Sequence, residues 1–110
     1  MATLTVGQVV PAGLNDALVA AAGGGDSFLP SDKTLIRVNN GGAGAITVTI
    51  ITAATAAQGL AIADAGGSVP NAQSRLFGPF PAELYADPAD GLADITYSGV
   101  TTVTVGAFKL

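Results

Sequence analysis

The stretch from Thr34 to Ile51, TLIRVNNGGAGAITVTII, limits the possible folds of this chain more than any other stretch. Its second half alternates aliphatic residues with threonines, a period of two that is typical of a β-strand. Because successive strand side chains point to opposite faces, Val48 and Ile50 share one aliphatic face. Ile36 and Val38 share a face of the first half in the same way. Central asparagines and glycines tolerate the positive φ of a tight turn, so the stretch predicts a central β-hairpin.

Short alternating runs, separated by turn residues, recur along the whole chain. TLTV lies near the amino terminus and TVTVGAF near the carboxyl terminus. About seven to eight short antiparallel strands of this kind predict an all-β fold, a single-domain, jelly-roll-like β-sandwich over residues 1–110. Residues 1–6 form either its first strand or an arm. Residues 14–22 fit a short helix or a strand, because leucines and alanines at helical spacing run into three glycines.

The ionisable composition argues against several classes of function. The chain has no cysteine and no histidine, and only 11% of its residues are charged. Disulfides, thiolate metal sites and the commonest general base are therefore absent. Four cations against eight acids give a net charge of −4, which leaves too few positive groups for phosphate-driven binding of nucleic acid. We expect a protein that is not an enzyme and has no cofactor and no small-molecule substrate.

The scarcity of charge also bears on how the surface is used. Roughly a quarter of the residues of ordinary soluble domains are charged, and association is promoted when charge is scarce. The centres of protein interfaces are depleted in charge as well. One interpretation is that neighbouring subunits cover much of this chain. The other is a small domain whose surface stays soluble through its hydroxyl groups.

A long segment without charge resembles a membrane span but does not have the pattern of one. No ionisable residue occurs between residues 38 and 63, a length that would suffice to cross a bilayer. Asparagines, glycines and threonines interrupt this segment, and its apolar residues alternate instead of clustering. The first ten residues, MATLTVGQVV, lack the basic and apolar regions of a secretory signal. We therefore expect no membrane partner.

Three aspartates form a candidate metal site. Asp87, Asp90 and Asp94 lie close together in sequence, and carboxylate oxygens are the ligands that calcium prefers. Their spacing does not match the EF-hand loop. Asp-Pro followed by Asp-Gly is also ordinary turn chemistry, and we favour that explanation over a bound metal.

The segment RLFGPFP has two interpretations. In the first, Phe77 and Phe80 seal the core from an edge strand while Arg75 is solvated. In the second, the same three residues anchor a partner, because arginine and aromatic side chains are enriched at interface centres. A separate hypothesis concerns the amino terminus. Residues 2–6, with Leu4 and Val6 facing inward, could add a strand to a neighbouring subunit or to another protein, since an exposed terminal strand invites such pairing.

Several weak motifs in a fixed order carry a resemblance to known proteins. After the first strand of the central stretch come two glycines, TVTI, a Val-Pro turn, Gly-Pro-Phe, an Asp-Gly turn and TVTVGAF. In this order they resemble small bacteriophage virion proteins encoded near the major capsid gene, described as head decoration or cement proteins. The resemblance covers most of residues 34–110. It implies a non-enzymatic β-domain, commonly a homotrimer, that is made in the bacterial cytoplasm and binds the major capsid protein on the virion exterior.

Two alternative functions fit the same fold class. The first is another virion component, such as the base of a head fibre or an accessory of the tail or baseplate. The second is a glycan-binding β-sandwich. Glycan-binding sites usually stack sugars on tryptophan or tyrosine, and this chain has no tryptophan and only two tyrosines.

Overall fold

The computed structural model describes residues 2–13, 18–53, 63–88 and 90–110. These residues form ten β-strands and one four-residue helical turn. The elements are β1 (Ala2–Thr3), β2 (Val6–Gln8), β3 (Val19–Ala20), β4 (Asp26–Phe28), β5 (Thr34–Asn40), β6 (Ile46–Ile50), β7 (Ala65–Val69), β8 (Gln73–Phe77), α1 (Ala82–Tyr85), β9 (Ala93–Tyr97) and β10 (Val103–Lys109). Among these described elements, no helix is long and apolar enough to span a membrane.

The strands are arranged in two sheets. The strand order of the first sheet is β1-β4-β9-β6-β7, and that of the second is β2-β10-β5-β8, with β3 also paired to β10. The predicted all-β, two-sheet architecture is therefore confirmed. Most pairs are antiparallel as expected, but β1 with β4 and β2 with β10 are parallel. Ten described strands exceed the seven or eight expected because several have only two or three residues.

The core consists of the inward faces of both sheets. Ile36 and Val38 from the second sheet are fully buried, and so are Val48 and Ile50 from the first. These are the aliphatic faces that the period of two predicts. Phe28 is the largest buried side chain contributed by β4, and no part of it is exposed. Burial of such side chains, at about 25 cal/mol per Å² of apolar surface, is the main source of stability for a fold of this kind.

The predicted hairpin between the two central runs is wrong. Strand β5 pairs with β10 and β8, whereas β6 pairs with β7 and β9, so residues 41–45 carry the chain from one sheet to the other. Alternation of side chains determines which face of a strand is buried, and that part of the prediction holds. It does not determine which strand becomes the neighbour, because both arrangements bury the same face.

The buried side-chain amide of Asn40 stabilises the loop of residues 41–45, which passes from one sheet to the other. Asn40 is fully buried, and its side-chain nitrogen donates to the carbonyl oxygens of Gly44, at 2.8 Å, and Val69, at 3.0 Å. Its side-chain oxygen accepts a hydrogen bond from the backbone N–H of Gly42 at 3.0 Å. A single side chain therefore links the end of β5, the crossing loop and the end of β7, with its polar groups satisfied as burial requires.

The amino-terminal segment belongs to the fold of its own chain. Strand β1 pairs with β4 in the first sheet, and β2 pairs with β10 in the second. Between them the N–H of Leu4 donates to the carbonyl of Ser27 at 2.7 Å, and the Leu4 side chain lies in the core. Residues 2–6 therefore contribute edge strands to both sheets of their own chain, with Leu4 facing inward as predicted, and the addition of a strand to a neighbour stays a prediction. Of the ambiguous stretch 14–22, Val19 and Ala20 form a strand, and residues 14–17 lie outside the described residues.

Replacement of Asn40 tests how much its side-chain hydrogen bonds to the loop between the sheets contribute to stability. We expect Asn40→Ala to lower the free energy of unfolding by roughly 2–4 kcal/mol, because it removes the hydrogen-bond partner of the buried Val69 carbonyl, of the Gly44 carbonyl and of one loop N–H. Asn39→Ala is the matched control, since the Asn39 side chain is exposed on the outer face of β5; its expected effect is within about 0.5 kcal/mol. Urea unfolding followed by circular dichroism measures both. Equal losses for the two variants would contradict the role assigned to Asn40.

Candidate functional site

The three aspartates of the candidate metal site lie in and after a tight turn before β9. The N–H groups of Asp90 and Gly91 donate to the carbonyl of Asp87, and the Asp90 carboxylate accepts the N–H of Leu92 at 2.9 Å. This is the turn chemistry that the alternative explanation predicted. Within the described part of the chain, no three His, Cys, Asp or Glu side chains group in a way that could hold a metal ion.

The aspartates nevertheless influence one another electrostatically. Partial burial is the main cause that raises the pKa of Asp94 above its usual value, and the negative charges of Asp90 and Asp87 raise it further. Asp94 lies on the outer face of β9, between the core residues Ala93 and Ile95. Its ionised form is therefore less stable in the folded chain than in water.

The phenylalanines of RLFGPFP contribute to the core. Phe80 is buried and makes edge-to-face contacts with Phe28 and Tyr85, with ring centroids 5.4 Å and 5.3 Å apart. Phe77 is half-buried and packs against the same core. Arg75 is exposed, and its guanidinium donates to the carbonyl of Ser74, the preceding residue. The structure thus favours the first interpretation of this segment, and Phe80 does not provide an exposed partner anchor.

The remaining predicted interface residues are also accounted for by the fold of the single chain. Val6 in β2 is half-buried and packs against the core, as Leu4 does more completely. The five predicted interface residues therefore separate into two groups. Arg75 is exposed and open to a partner, while the other four support the packing of this chain.

An apolar outer face on the second sheet is the most distinctive surface of the described chain. We call it the basic face, after Arg37, and define it by Val9, Leu35, Arg37, Leu76 and Phe108, which line a depression of about 650 Å³ together with Ser74 and Arg75 of the edge strand β8. Strand register explains how it forms. Phe108 is opposite Leu35, and Leu76 is opposite Arg37, so alternate residues of β10, β5 and β8 meet on the side away from the core.

Large apolar side chains of the basic face are open to solvent. Leu76 is 65% exposed and Val9 is 44% exposed. Sequence reasoning missed this site, although a signal was present. Leu35 and Arg37 share the face of the first run that is opposite Ile36 and Val38. Only the neighbouring strands show that Leu76 and Phe108 join them.

The carboxyl group of Asp26, like the amide of Asn40, is a polar group buried inside the fold. The Asp26 carboxyl group is fully buried on β4, where one oxygen accepts hydrogen bonds from the Tyr97 hydroxyl at 2.8 Å and from the N–H of Ala22 at 3.3 Å. Its other oxygen has no hydrogen-bond partner. Burial raises the pKa of Tyr97 far above its usual value, with further increases from the hydrogen bond to Asp26 and its negative charge. Tyr97 is therefore held in its neutral, hydrogen-donating form.

No family model, curated protein or solved structure matches this chain. The basic face and the aspartate turn are therefore interpreted from their own residues.

Removal of the Asp94 charge is expected to stabilise the fold. Because the folded-state pKa is raised, ionised Asp94 costs stability at neutral pH, and this cost disappears as the pH falls below the unfolded-state value. We expect Asp94→Asn to raise the melting temperature by about 2 °C at pH 7, from a gain of about 0.5 kcal/mol, and to change it little near pH 3. Calorimetry at both pH values tests this. Asp32→Asn, at an exposed turn, is the matched control and should not reproduce the gain.

Loss of the Tyr97 hydroxyl is expected to destabilise the fold. Tyr97→Phe removes the closer of the two donors to Asp26 and should cost roughly 1–3 kcal/mol at pH 7. Because the pKa of Tyr97 is raised in the folded chain, wild-type stability falls as the pH rises above about 10, which is the pKa of tyrosine in the unfolded chain. That alkaline loss should be smaller in the variant. Urea unfolding across this pH range measures both effects.

Tyr85→Phe provides the comparison, because it keeps the ring contact with Phe80 and leaves the Asp26 hydrogen bond intact. We expect it to change stability by about 0.5 kcal/mol or less. A Tyr97→Phe variant with the same stability and the same pH profile as wild type would contradict the role of the buried pair.

Proposed function

We propose that this chain is a structural virion protein that binds the outside of a bacteriophage capsid and stabilises it, without catalysis. The observation that carries the proposal is the basic face, a largely apolar sheet surface that the isolated chain leaves exposed. Contiguous apolar surface of this kind marks contacts with other macromolecules in soluble proteins. In this proposal the protein is made in the bacterial cytoplasm, forms a homotrimer and binds the major capsid protein. Its strands have a jelly-roll-like topology.

The composition supports a role in which surface is buried and no molecule is transformed. Cysteine and histidine are absent from the sequence, and cations are few. Histidine is the commonest general base, cysteine is a strong nucleophile, and arginine and lysine supply phosphate contacts. The order of motifs from residue 34 to residue 110, which resembles that of head decoration proteins, supports the same conclusion independently of the surface.

Stabilisation of a shell by such a protein needs no chemical step. A protein that binds the assembled capsid but not its separated subunits shifts the equilibrium towards assembly, by about 2.7 kcal/mol per site at a free concentration of 100 times Kd. Many copies on one particle add their contributions. A modest interface on each copy is therefore sufficient for a large effect on the whole particle.

Particles of the phage that encodes this chain provide the test. Heads assembled without the protein should bind the purified chain saturably, as measured by co-sedimentation, and the bound heads should open at a temperature several degrees higher than bare heads. Isolated tails from the same phage are the matched control and should bind none of it. Binding to tails but not heads would favour the tail-accessory alternative and overturn the proposal, as would failure to bind any particle.

A further inference from the structure

Asn40 and Gly41 form the only asparagine–glycine pair in the sequence. Such a pair is chemically labile in an unfolded chain. The backbone nitrogen of the glycine attacks the side-chain carbonyl carbon of the asparagine, and ammonia leaves as a cyclic imide forms. Glycine favours this step because, lacking a Cβ, it neither hinders the attack nor restricts the backbone. Water then opens the imide at either carbonyl, which leaves aspartate or isoaspartate in place of asparagine.

Hydrogen bonds hold both reacting groups of this pair in the folded chain. The Gly41 N–H, whose nitrogen is the attacking atom, donates to the carbonyl of Thr102 at 3.0 Å. The Asn40 side-chain nitrogen, which would leave as ammonia, donates to the carbonyls of Gly44 and Val69. No part of Asn40 is exposed to water. Closure of the imide would therefore break three hydrogen bonds at once, at a side chain that the fold shields from solvent.

The backbone around the pair also has little room to move. A Cβ added at Gly41 would lie 3.2 Å from the carbonyl oxygen of Thr102, and one added at Gly42 would lie 3.2 Å from the side-chain oxygen of Asn40. The Gly42 N–H donates to that same oxygen at 3.0 Å. Because both glycines are packed this closely, the reaction requires the end of β5 to separate from its neighbours, which is a local or global unfolding event.

We propose that Asn40 is a deamidation site that is closed in the folded chain and open in the unfolded chain, so that prolonged unfolding becomes irreversible. The rate in the native protein then follows the population of opened chains, because opening and closing are fast relative to the reaction. Chemical modification of unfolded chains is one of the ways in which unfolding becomes irreversible. The modification needs no partner and no particle, so its test is independent of the capsid-binding test.

Neither product of the reaction fits the native position. Aspartate at position 40 has no N–H to donate, so its carboxylate would face the carbonyl oxygens of Gly44 and Val69 without compensation in a buried site. Isoaspartate lengthens the backbone by one atom at a residue that pairs with Val103 on one side and Gln73 on the other. Chains that are modified while unfolded therefore do not return to the native fold.

Deamidation of the purified chain at mildly alkaline pH, with and without guanidinium chloride, provides the first test. Peptide mapping by mass spectrometry counts aspartate and isoaspartate at each position. We expect the reaction at Asn40 to be at least about 100-fold faster in the denaturant, since a stable domain is unfolded only a small fraction of the time. Asn71 is the control within the same chain. It lies exposed in a turn and precedes Ala72, so it should react slowly in both conditions.

Replacement of the glycine tests the chemistry apart from the fold. In guanidinium chloride, where no chain is folded, we expect Gly41→Ala to slow deamidation of Asn40 about tenfold, because its Cβ hinders the attack. The same substitution should leave the rate at Asn71 unchanged.

Refolding tests the consequence of the modification. Wild-type chain that is partly deamidated in guanidinium chloride is diluted into buffer, and the folded fraction is isolated by size-exclusion chromatography. We expect chains modified at position 40 to be depleted from this fraction about tenfold or more. Three results would each overturn the proposal: equal rates at Asn40 with and without denaturant, a Gly41→Ala variant that reacts as fast as wild type, or modified chains that refold as well as unmodified ones.

Discussion

The pairing of β10 with β5 is the interaction on which the rest of the structure depends. Seven residues of the last strand pair with seven from the middle of the chain, from Val103 opposite Asn40 to Lys109 opposite Thr34. β5 and β10 lie at the centre of the second sheet, so their register fixes both of its faces. Ala107 and Ile36 face the core, while Phe108 and Leu35 face outward. The core and the basic face are therefore two consequences of one register.

The buried polar groups show how a fold with little charge keeps its two sheets in place. Asn40 satisfies its own amide and two carbonyls at the point where the chain passes between the sheets. Asp26 is less well satisfied, because one of its oxygens lacks a hydrogen-bond partner and its other oxygen relies on Tyr97. A buried amide with all its partners specifies a structure at little cost, whereas a partly satisfied carboxyl group reduces stability. The Asn40 side chain thus stabilises the fold, whereas the incompletely hydrogen-bonded Asp26 carboxyl group lowers its stability.

The exposed apolar surface is the feature on which the proposed function rests. Its large exposed apolar side chains include Leu76 and Val9 on the outer face of the second sheet, where Leu76 is opposite Arg37. Opposite charge lies around α1 and the start of β9, also mixed with apolar area. The few cations of the sequence all lie on or beside the second sheet.

The sequence by itself determined the all-β class, the inward faces of Ile36, Val38, Val48 and Ile50, and the Asp-Gly turn before β9. Each depends on residues only a few positions apart, through side-chain alternation or local turn chemistry. Only the tertiary structure decided that β5 and β6 belong to different sheets, that β1 and β2 pair with β4 and β10, and that Leu76 and Phe108 complete the basic face. These features depend on which distant strands become neighbours. Several pairings bury the same aliphatic faces, so a local pattern cannot distinguish among them.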